Sequence, residues 1–451
     1  MSLIASDTQR IVVGLGVTGL SCARFLAKNG MSFSVADNRE IPPGLDQFRQ
    51  EFPDVTLSLG PFQAGQFDAA DELYISPGIS LREPVIASAI QAGVKISGDL
   101  DLFVQSARAP LVAITGSNGK STVTTLLGAM AEEAGLKVAI GGNLGTPMLD
   151  LLSDDSELYV LELSSFQLER CAGVNAEVAT VLNVSEDHLD HHGSLLAYHQ
   201  AKHRIFRGCR QALINRDDML THPLVPDSVR QWSFGLQAPG REAFGLRDEA
   251  GAVWLCFGDE KLIAADEIHL AGRHNLANAL AALALGKAAG LEMASMLSAL
   301  RKFKGLPHRC QHVADVDGVA YYNDSKGTNV GAAVASLRGL GDRFQVVLLA
   351  GGQAKGADLE PLVETLQEVG RAAVFFGESA PVLSEYLGEG LPSQCVSGMD
   401  EAVLAASRFA QSGDAVLLSP ACASFDMFRN YEHRGECFVD AVGRLAQGRL
   451  Q

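Results

Sequence analysis

The segment Thr115-Gly116-Ser117-Asn118-Gly119-Lys120-Ser121-Thr122 follows the apolar run Leu111–Ile114 and opens a helical stretch. A strand, a glycine turn and a helix in direct succession commit this part of the chain to an α/β unit, in which strands run parallel and helices cover the sheet. The turn also constrains chemistry. Its glycines expose backbone N–H groups to phosphate, Lys120 can neutralise β/γ-phosphate charge, and a hydroxyl of Ser121 or Thr122 can hold Mg²⁺. The spacing is G-x-x-G-K-[ST], shorter than the usual phosphate loop, whose first glycine would fall at Ile114.

The same strand-then-helix logic recurs along the 451 residues. At about 150 residues per domain, three domains are expected. Their bounds are read as 1–98, 99–305 and 306–451. The first block has strands at 10–14 and 33–37 around a helix; the second adds strands at 158–162 and 177–183 and a long Ala/Leu helix at 276–289. The third carries strands at 345–350, 372–377 and 415–419. The predicted fold is α/β: a Rossmann-like first block, a central P-loop ATPase-like block and a Rossmann-like last block, each with a largely parallel sheet.

Charge narrows the partners. The net charge is −17, which argues against nucleic-acid binding and leaves any anionic substrate to local cations and backbone N–H groups. The eight cysteines have no C-x-x-C spacing and read as reduced thiols. The opening residues MSLIASDTQR lack an apolar signal-peptide core, and no apolar stretch reaches about 18 residues, so a cytoplasmic enzyme without membrane insertion is expected.

Gly14-Leu15-Gly16-Val17-Thr18-Gly19 matches G-x-G-x-x-G, with Asp37 ending the next strand. This pattern suits a dinucleotide, but any nucleotide diphosphate can use glycines and a helix N-terminus in this way. Glu162 ends a strand beside the phosphate loop and can serve Mg²⁺. The run Asn183-Val184-Ser185-Glu186-Asp187-His188-Leu189-Asp190-His191-His192 invites a zinc reading. No second ligand set is evident in the sequence, so one histidine beside a phosphate-bound metal is the more economical role. Lys202 alone reads as an ordinary exposed helix lysine. Asn275 and Asn278 share a helix face, where one could cap the helix or both could meet a nucleotide. In the last block, Tyr322-Asn323-Asp324-Ser325-Lys326-Gly327-Thr328-Asn329, Gly351-Gly352-Gln353-Ala354-Lys355-Gly356 and Ser419-Pro420-Ala421-Cys422-Ala423-Ser424-Phe425-Asp426 each follow a strand. Together they present cations and donors to a second anionic substrate.

The stretches AITGSNGKSTVTTL, YVLELSSFQLE, LNVSEDHLDHH, HNLANALAAL, GLPHR, NDSKGTN and LLSPACASFD, in this order over the whole chain, resemble the Mur ligases. The resemblance implies an ATP-dependent amide-forming ligase of peptidoglycan synthesis, and so a part in cell shape and division. Within the family it implies joining D-glutamate to UDP-N-acetylmuramoyl-L-alanine, by a monomer. It turns the N-terminal glycine motif into a uridine-diphosphate site with Val17, Thr18, Asp37, Asn38 and Arg39, and places Asn143 and Ser164 at the muramoyl substrate. Gly116, Ser117, Asn118, Gly119, Lys120, Ser121, Thr122, Asn275, Asn278, Arg309 and Asp324 would bind ATP. Two Mg²⁺ ions would use Ser121 or Thr122, Glu162, His188 and Lys202, the last carbamylated by CO₂. Lys326, Thr328, Lys355, Ser424 and Phe425 would hold D-glutamate. Lys120, His188, Lys202 and Lys326 would be the catalytic residues.

Overall fold

A computed structural model describes residues 8–270 and 272–450. The opening seven residues, on which part of the signal-peptide reading rests, lie outside the described residues.

Three sheets organise the chain. The first has the strand order Leu57–Leu59, Ser34–Asp37, Arg10–Val13, Glu72–Ile75, Lys95–Ser97, all parallel. Arg10–Val13 is central because the chain crosses first to one side of it and then to the other. That switch point opens a crevice at the glycine turn. The helix Val17–Lys28 starts there. Gly19 is dictated by packing: a Cβ would sit 1.9 Å from the Gly14 carbonyl oxygen.

The second sheet has nine strands. Its parallel core runs Val138–Gly142, Leu158–Glu162, Leu111–Thr115, Val178–Val181, Gln211–Asn215, Arg230–Phe234. The strands Leu111–Thr115 and Leu158–Glu162 are buried at every residue, as their unbroken apolar runs require. Ala243–Glu249, Ala252–Phe257 and Glu260–Ala264 extend the sheet as an antiparallel meander that the sequence reading did not anticipate. The helix Arg273–Ala288 packs on the helix Lys120–Glu133. From Ala279 to Gly286 every residue is buried, so the segment lacks an amphipathic stripe.

The third sheet has the order Gln311–Val316, Val319–Asn323, Ala415–Leu418, Val346–Gly351, Gly370–Phe376, Ser393–Val396. The first pair is antiparallel and the rest are parallel.

Side chains stitch the first two sheets together. Ser21 Oγ donates to Asp150 Oδ1 at 2.7 Å, and Arg82 Nη2 donates to the His192 carbonyl at 3.0 Å. The buried guanidinium of Arg170 donates to the carbonyls of Pro77 and Ile79. Among the described residues no helix is long and apolar enough to cross a membrane. The cysteines are free thiols, six of them buried, with Cys395 exposed and Cys437 partly so.

Candidate active site

Strand ends bring the phosphate loop together. Gly119 takes a left-handed conformation, φ 80°, immediately before the helix Lys120–Glu133. A Cβ there would lie 2.4 Å from Asn278 Oδ1, so the asparagine amide rests against the loop. Asn278 Nδ2 donates to Asn275 Oδ1 at 3.1 Å, which pairs the two residues expected to share a face. The loop is anchored from behind. Ser117 N–H donates to the Asn183 carbonyl (2.9 Å), Asn118 N–H donates to Asn183 Oδ1 (2.8 Å), and Ser117 Oγ lies 3.2 Å from the Tyr198 hydroxyl.

Lys120 folds back across the loop, donating to the carbonyls of Gly116 (2.8 Å) and Ser117 (2.9 Å). Lys202 Nζ donates to the same Gly116 carbonyl at 2.8 Å. Lys202 is thus not an exposed helix lysine: it is 1% exposed, with its ammonium 4.4 Å from the Tyr198 ring centre. The helix Leu195–His203 turns this face inward, which a single lysine in a helical stretch does not announce. Burial, reinforced by the charge of Lys120, drives the Lys202 amine well below the ordinary lysine range. Burial and then Arg309 lower Lys120 as well, against the opposing pull of Glu162 and Asp187.

Glu162 is 2% exposed. Its Oε1 accepts from Asn143 Nδ2 at 2.6 Å, whereas Oε2 is buried with no hydrogen-bond partner. An orphaned carboxylate oxygen among Lys120, Lys202 and Arg309 is costly unless a cation or donor meets it, and a hard divalent ion fits that donor. Ser121 and Thr122, which follow Lys120 directly, are buried. His188 is left-handed at φ 54° and half-exposed; its imidazole is lowered by burial and by Lys120 and Lys202, partly offset by Asp187.

The third sheet reaches into this centre. Arg309 Nη2 donates to Ser121 Oγ at 2.7 Å, and Asn329 Nδ2 lies 3.3 Å from Asn118 Oδ1 and 3.4 Å from Asp187 Oδ2. Asn329 and Asp187 were not among the expected site residues, although both sit inside motifs already singled out. Asp324 is buried and accepts from Ser336 Oγ, Ser419 Oγ and Cys310 N–H. It organises the loops, and burial raises its carboxyl to about 6. Lys326 Nζ stands 3.7 Å from the Tyr431 ring centre, and burial together with Arg309 lowers it to about 8. Thr328 follows in the same loop. That loop is tied to the next by Ala421 N–H donating to the Gly327 carbonyl at 2.9 Å. Ser424 is buried, Phe425 is 65% exposed, and Lys355 Nζ lies 5.8 Å from the Phe425 ring centre.

The N-terminal crevice is a separate cavity of about 330 Å³, lined by Val17, Thr18, Asn38, Arg39 and the loop 76–79. Asp37 does not line it. Its buried carboxylate accepts from Leu15 N–H (2.6 Å) and is clamped by Arg39 (2.7 Å). Burial alone would raise its pKa, but those hydrogen bonds take it below the usual carboxylate range. Asp37 therefore positions Arg39 instead of offering oxygens to a ribose, which removes the support for a dinucleotide site. Asn143 and Ser164 lie outside this cavity, beside Glu162, and Ser164 caps the helix Ser165–Arg170 by accepting from Gln167 N–H at 3.2 Å.

Comparison with known proteins decides the family. Residues 8–98 match the Mur ligase MurD-like N-terminal domain, 114–286 the Mur ligase middle domain, and 308–422 the Mur ligase glutamate ligase domain. The UDP-N-acetylmuramoylalanine–D-glutamate ligase of Pseudomonas aeruginosa is 56% identical over 448 residues, spanning 99% of this chain and all of that protein. The chain belongs to the Mur ligase family. The like-named ligase of Marinobacter nauticus is 52% identical over 446 residues, again 99% of this chain and all of that one. A pseudomurein peptide ligase type C from Methanothermus fervidus shares the fold with a TM-score of 0.63 at 18% identity, over 97% of this chain and 100% of that one. The three α/β sheets are those of a three-domain Mur ligase, and the short phosphate loop is part of the matched middle domain.

Proposed function

We propose that the chain joins D-glutamate to UDP-N-acetylmuramoyl-L-alanine at the expense of ATP, giving ADP and phosphate, in cytoplasmic peptidoglycan precursor synthesis. It acts as a monomer of three domains, 1–98, 99–305 and 306–451. One observation carries the reading. Glu162 Oε2 is buried and unpartnered, between a phosphate loop and cations supplied by two sheets.

A carboxylate is a poor electrophile. The muramoyl-alanine carboxylate oxygen attacks the γ-phosphorus of ATP, and the bond to ADP breaks. The neutral amine of D-glutamate then attacks the acyl phosphate carbon, and the tetrahedral intermediate expels phosphate while the amine loses its proton. Lys120, released from its two carbonyls, meets the phosphate charge, and Arg309 and the loop N–H groups share it. Asn275 and Asn278 contact ATP, with Arg309 and Asp324 on its ribose and phosphate side. Ser121 or Thr122 with Glu162 would hold one Mg²⁺, and His188 with Lys202 a second, which would supply further charge neutralisation.

The depressed amine of Lys202 supports carbamylation, because only a neutral amine attacks CO₂. The new N–C bond releases one proton and converts a cation into an oxygen ligand. Lys326, Thr328, Lys355, Ser424 and Phe425 form the D-glutamate site; Val17, Thr18, Asn38 and Arg39, steadied by Asp37, form the uridine-diphosphate site. Asn143 and Ser164 face the muramoyl end.

The test is phosphate release from ATP and Mg²⁺ with UDP-N-acetylmuramoyl-L-alanine against a panel of D- and L-amino acids. Stoichiometric ADP and phosphate with D-glutamate alone is expected. Equal release with another amino acid, or with none, sinks the assignment.

A further inference from the structure

The histidine-rich turn holds more than the phosphate chemistry uses. The short helices Ser165–Arg170 and Leu189–His192 face one another, and donor atoms of Glu169, His191 and His192 all lie within 4.8 Å of one another. We propose that these three residues form a transition-metal site, separate from the magnesium positions, that takes an ion of the Zn²⁺ class.

The geometry is close to what such an ion needs. Zinc bonds of about 2.1 Å set tetrahedral donors about 3.4 Å apart. Here His191 Nε2 stands 2.9 Å from Glu169 Oε2, and the widest separation of the set is within 4.8 Å, so the spacing brackets the requirement. The two rings cross edge-on with centroids 4.7 Å apart, and Phe166 packs 4.5 Å from His191 and 5.5 Å from His192, which limits their rotation. Ser165 Oγ lies 3.0 Å from His192 Nε2 and fixes the orientation of that ring.

Glu169 Oε2 is paired with His191 Nε2 at 2.9 Å, so an entering ion takes the place of the proton shared between them. Arg170 Nη1 is 3.7 Å from Glu169 Oε2, beyond hydrogen-bond reach, and its Nη groups are committed to the Phe166, Pro77 and Ile79 carbonyls. Two imidazoles and a carboxylate favour borderline ions over Mg²⁺, which prefers oxygen. Partial exposure of Glu169 (29%) and His191 (17%) leaves an entry path and room for a water ligand. An ion here also bears on the active site: the N–H groups of His191 and His192 donate to the His188 carbonyl (3.1 and 3.0 Å), so pinning this helix pins the residue before it.

The test uses the full chain in a large excess of Mg²⁺, titrated with Co²⁺ as a spectroscopic probe and with Zn²⁺ against a chromophoric chelator. One equivalent should bind with visible cobalt d–d bands. Glu169→Gln and His191→Gln should each weaken binding by at least about tenfold, while His188→Ala retains it. Thermal melts establish which variants are folded. Unchanged affinity in the folded Gln variants, loss of binding in His188→Ala, or no binding under excess Mg²⁺ each overturns the proposal. Should one Gln variant fail to fold, the other decides the question alone.

Discussion

Replacing Gly119 by alanine tests how the phosphate loop is held. Two costs follow from the structure. A non-glycine residue at φ 80° and ψ −13° carries roughly 1–2 kcal/mol of backbone strain. The added Cβ would stand 2.4 Å from Asn278 Oδ1, so that side chain must move and give up its 3.1 Å bond to Asn275, about 0.5–1.5 kcal/mol. An empty loop can relax away from this geometry, but it must return to present its N–H groups to phosphate. The strain therefore reappears as lost nucleotide affinity, about 1.5–3.5 kcal/mol or about 10- to 300-fold. Equilibrium binding of a fluorescent ATP analogue measures it. In an Asn278→Ala background the second cost is absent, and Gly119→Ala should cost only about 5- to 30-fold. Wild-type affinity in Gly119→Ala, or an undiminished cost in the Asn278→Ala background, would refute the loop geometry and its contact with the asparagine pair.

Two further outcomes are expected. Lys202→Ala should lower turnover by at least about tenfold, and a short-chain carboxylate should restore part of it; full activity without any addition would remove Lys202 from the site. Lys326, brought to about 8 by burial and the neighbouring Arg309, binds an anion only when protonated. Inhibition by glutarate, which carries no amine of its own to titrate, should be constant below about pH 8 and weaken by about tenfold per pH unit well above it. Lys326→Arg should bind glutarate with a flat profile over that range. A wild-type profile flat to about pH 10 would place Lys326 away from the dicarboxylate.

The phosphate loop, the strand that precedes it and the helix that follows were legible because all their determinants are local: an apolar run, two glycines, a lysine and two hydroxyls within a dozen positions. The central parallel strands were legible for the same reason, since burial on both faces leaves apolar runs such as Leu158–Glu162, whereas outer parallel strands such as Leu57–Leu59, Lys95–Ser97 and Ser393–Val396 were not, being short and partly exposed. The antiparallel meander Ala243–Ala264 escaped notice because its flanking strands, Ala243–Glu249 and Glu260–Ala264, are exposed over part of their length and mix polar with apolar residues, which breaks the apolar run. The partners of Asp37 were not legible in the sequence. Its place at a strand end was readable, but its hydrogen bond to Leu15 N–H and its clamp on Arg39 belong to the folded turn.

Residue types and their local spacing were enough to establish an α/β chain with phosphate chemistry, and the ordered motifs were enough to identify a likeness to the Mur ligases. Which of those residues face one another was decided by tertiary structure alone. Lys202 is buried, and its amine is lowered by that burial, because the fold packs it against Tyr198 and Gly116, the latter 86 positions away. Arg309 meets Ser121 across 188 positions. Glu169 stands beside His191 and His192 because two short helices, separate in sequence order, share an edge. Burial and Coulomb interactions depend on distance in space, and chain order specifies that distance only where neighbours in sequence remain neighbours in the fold.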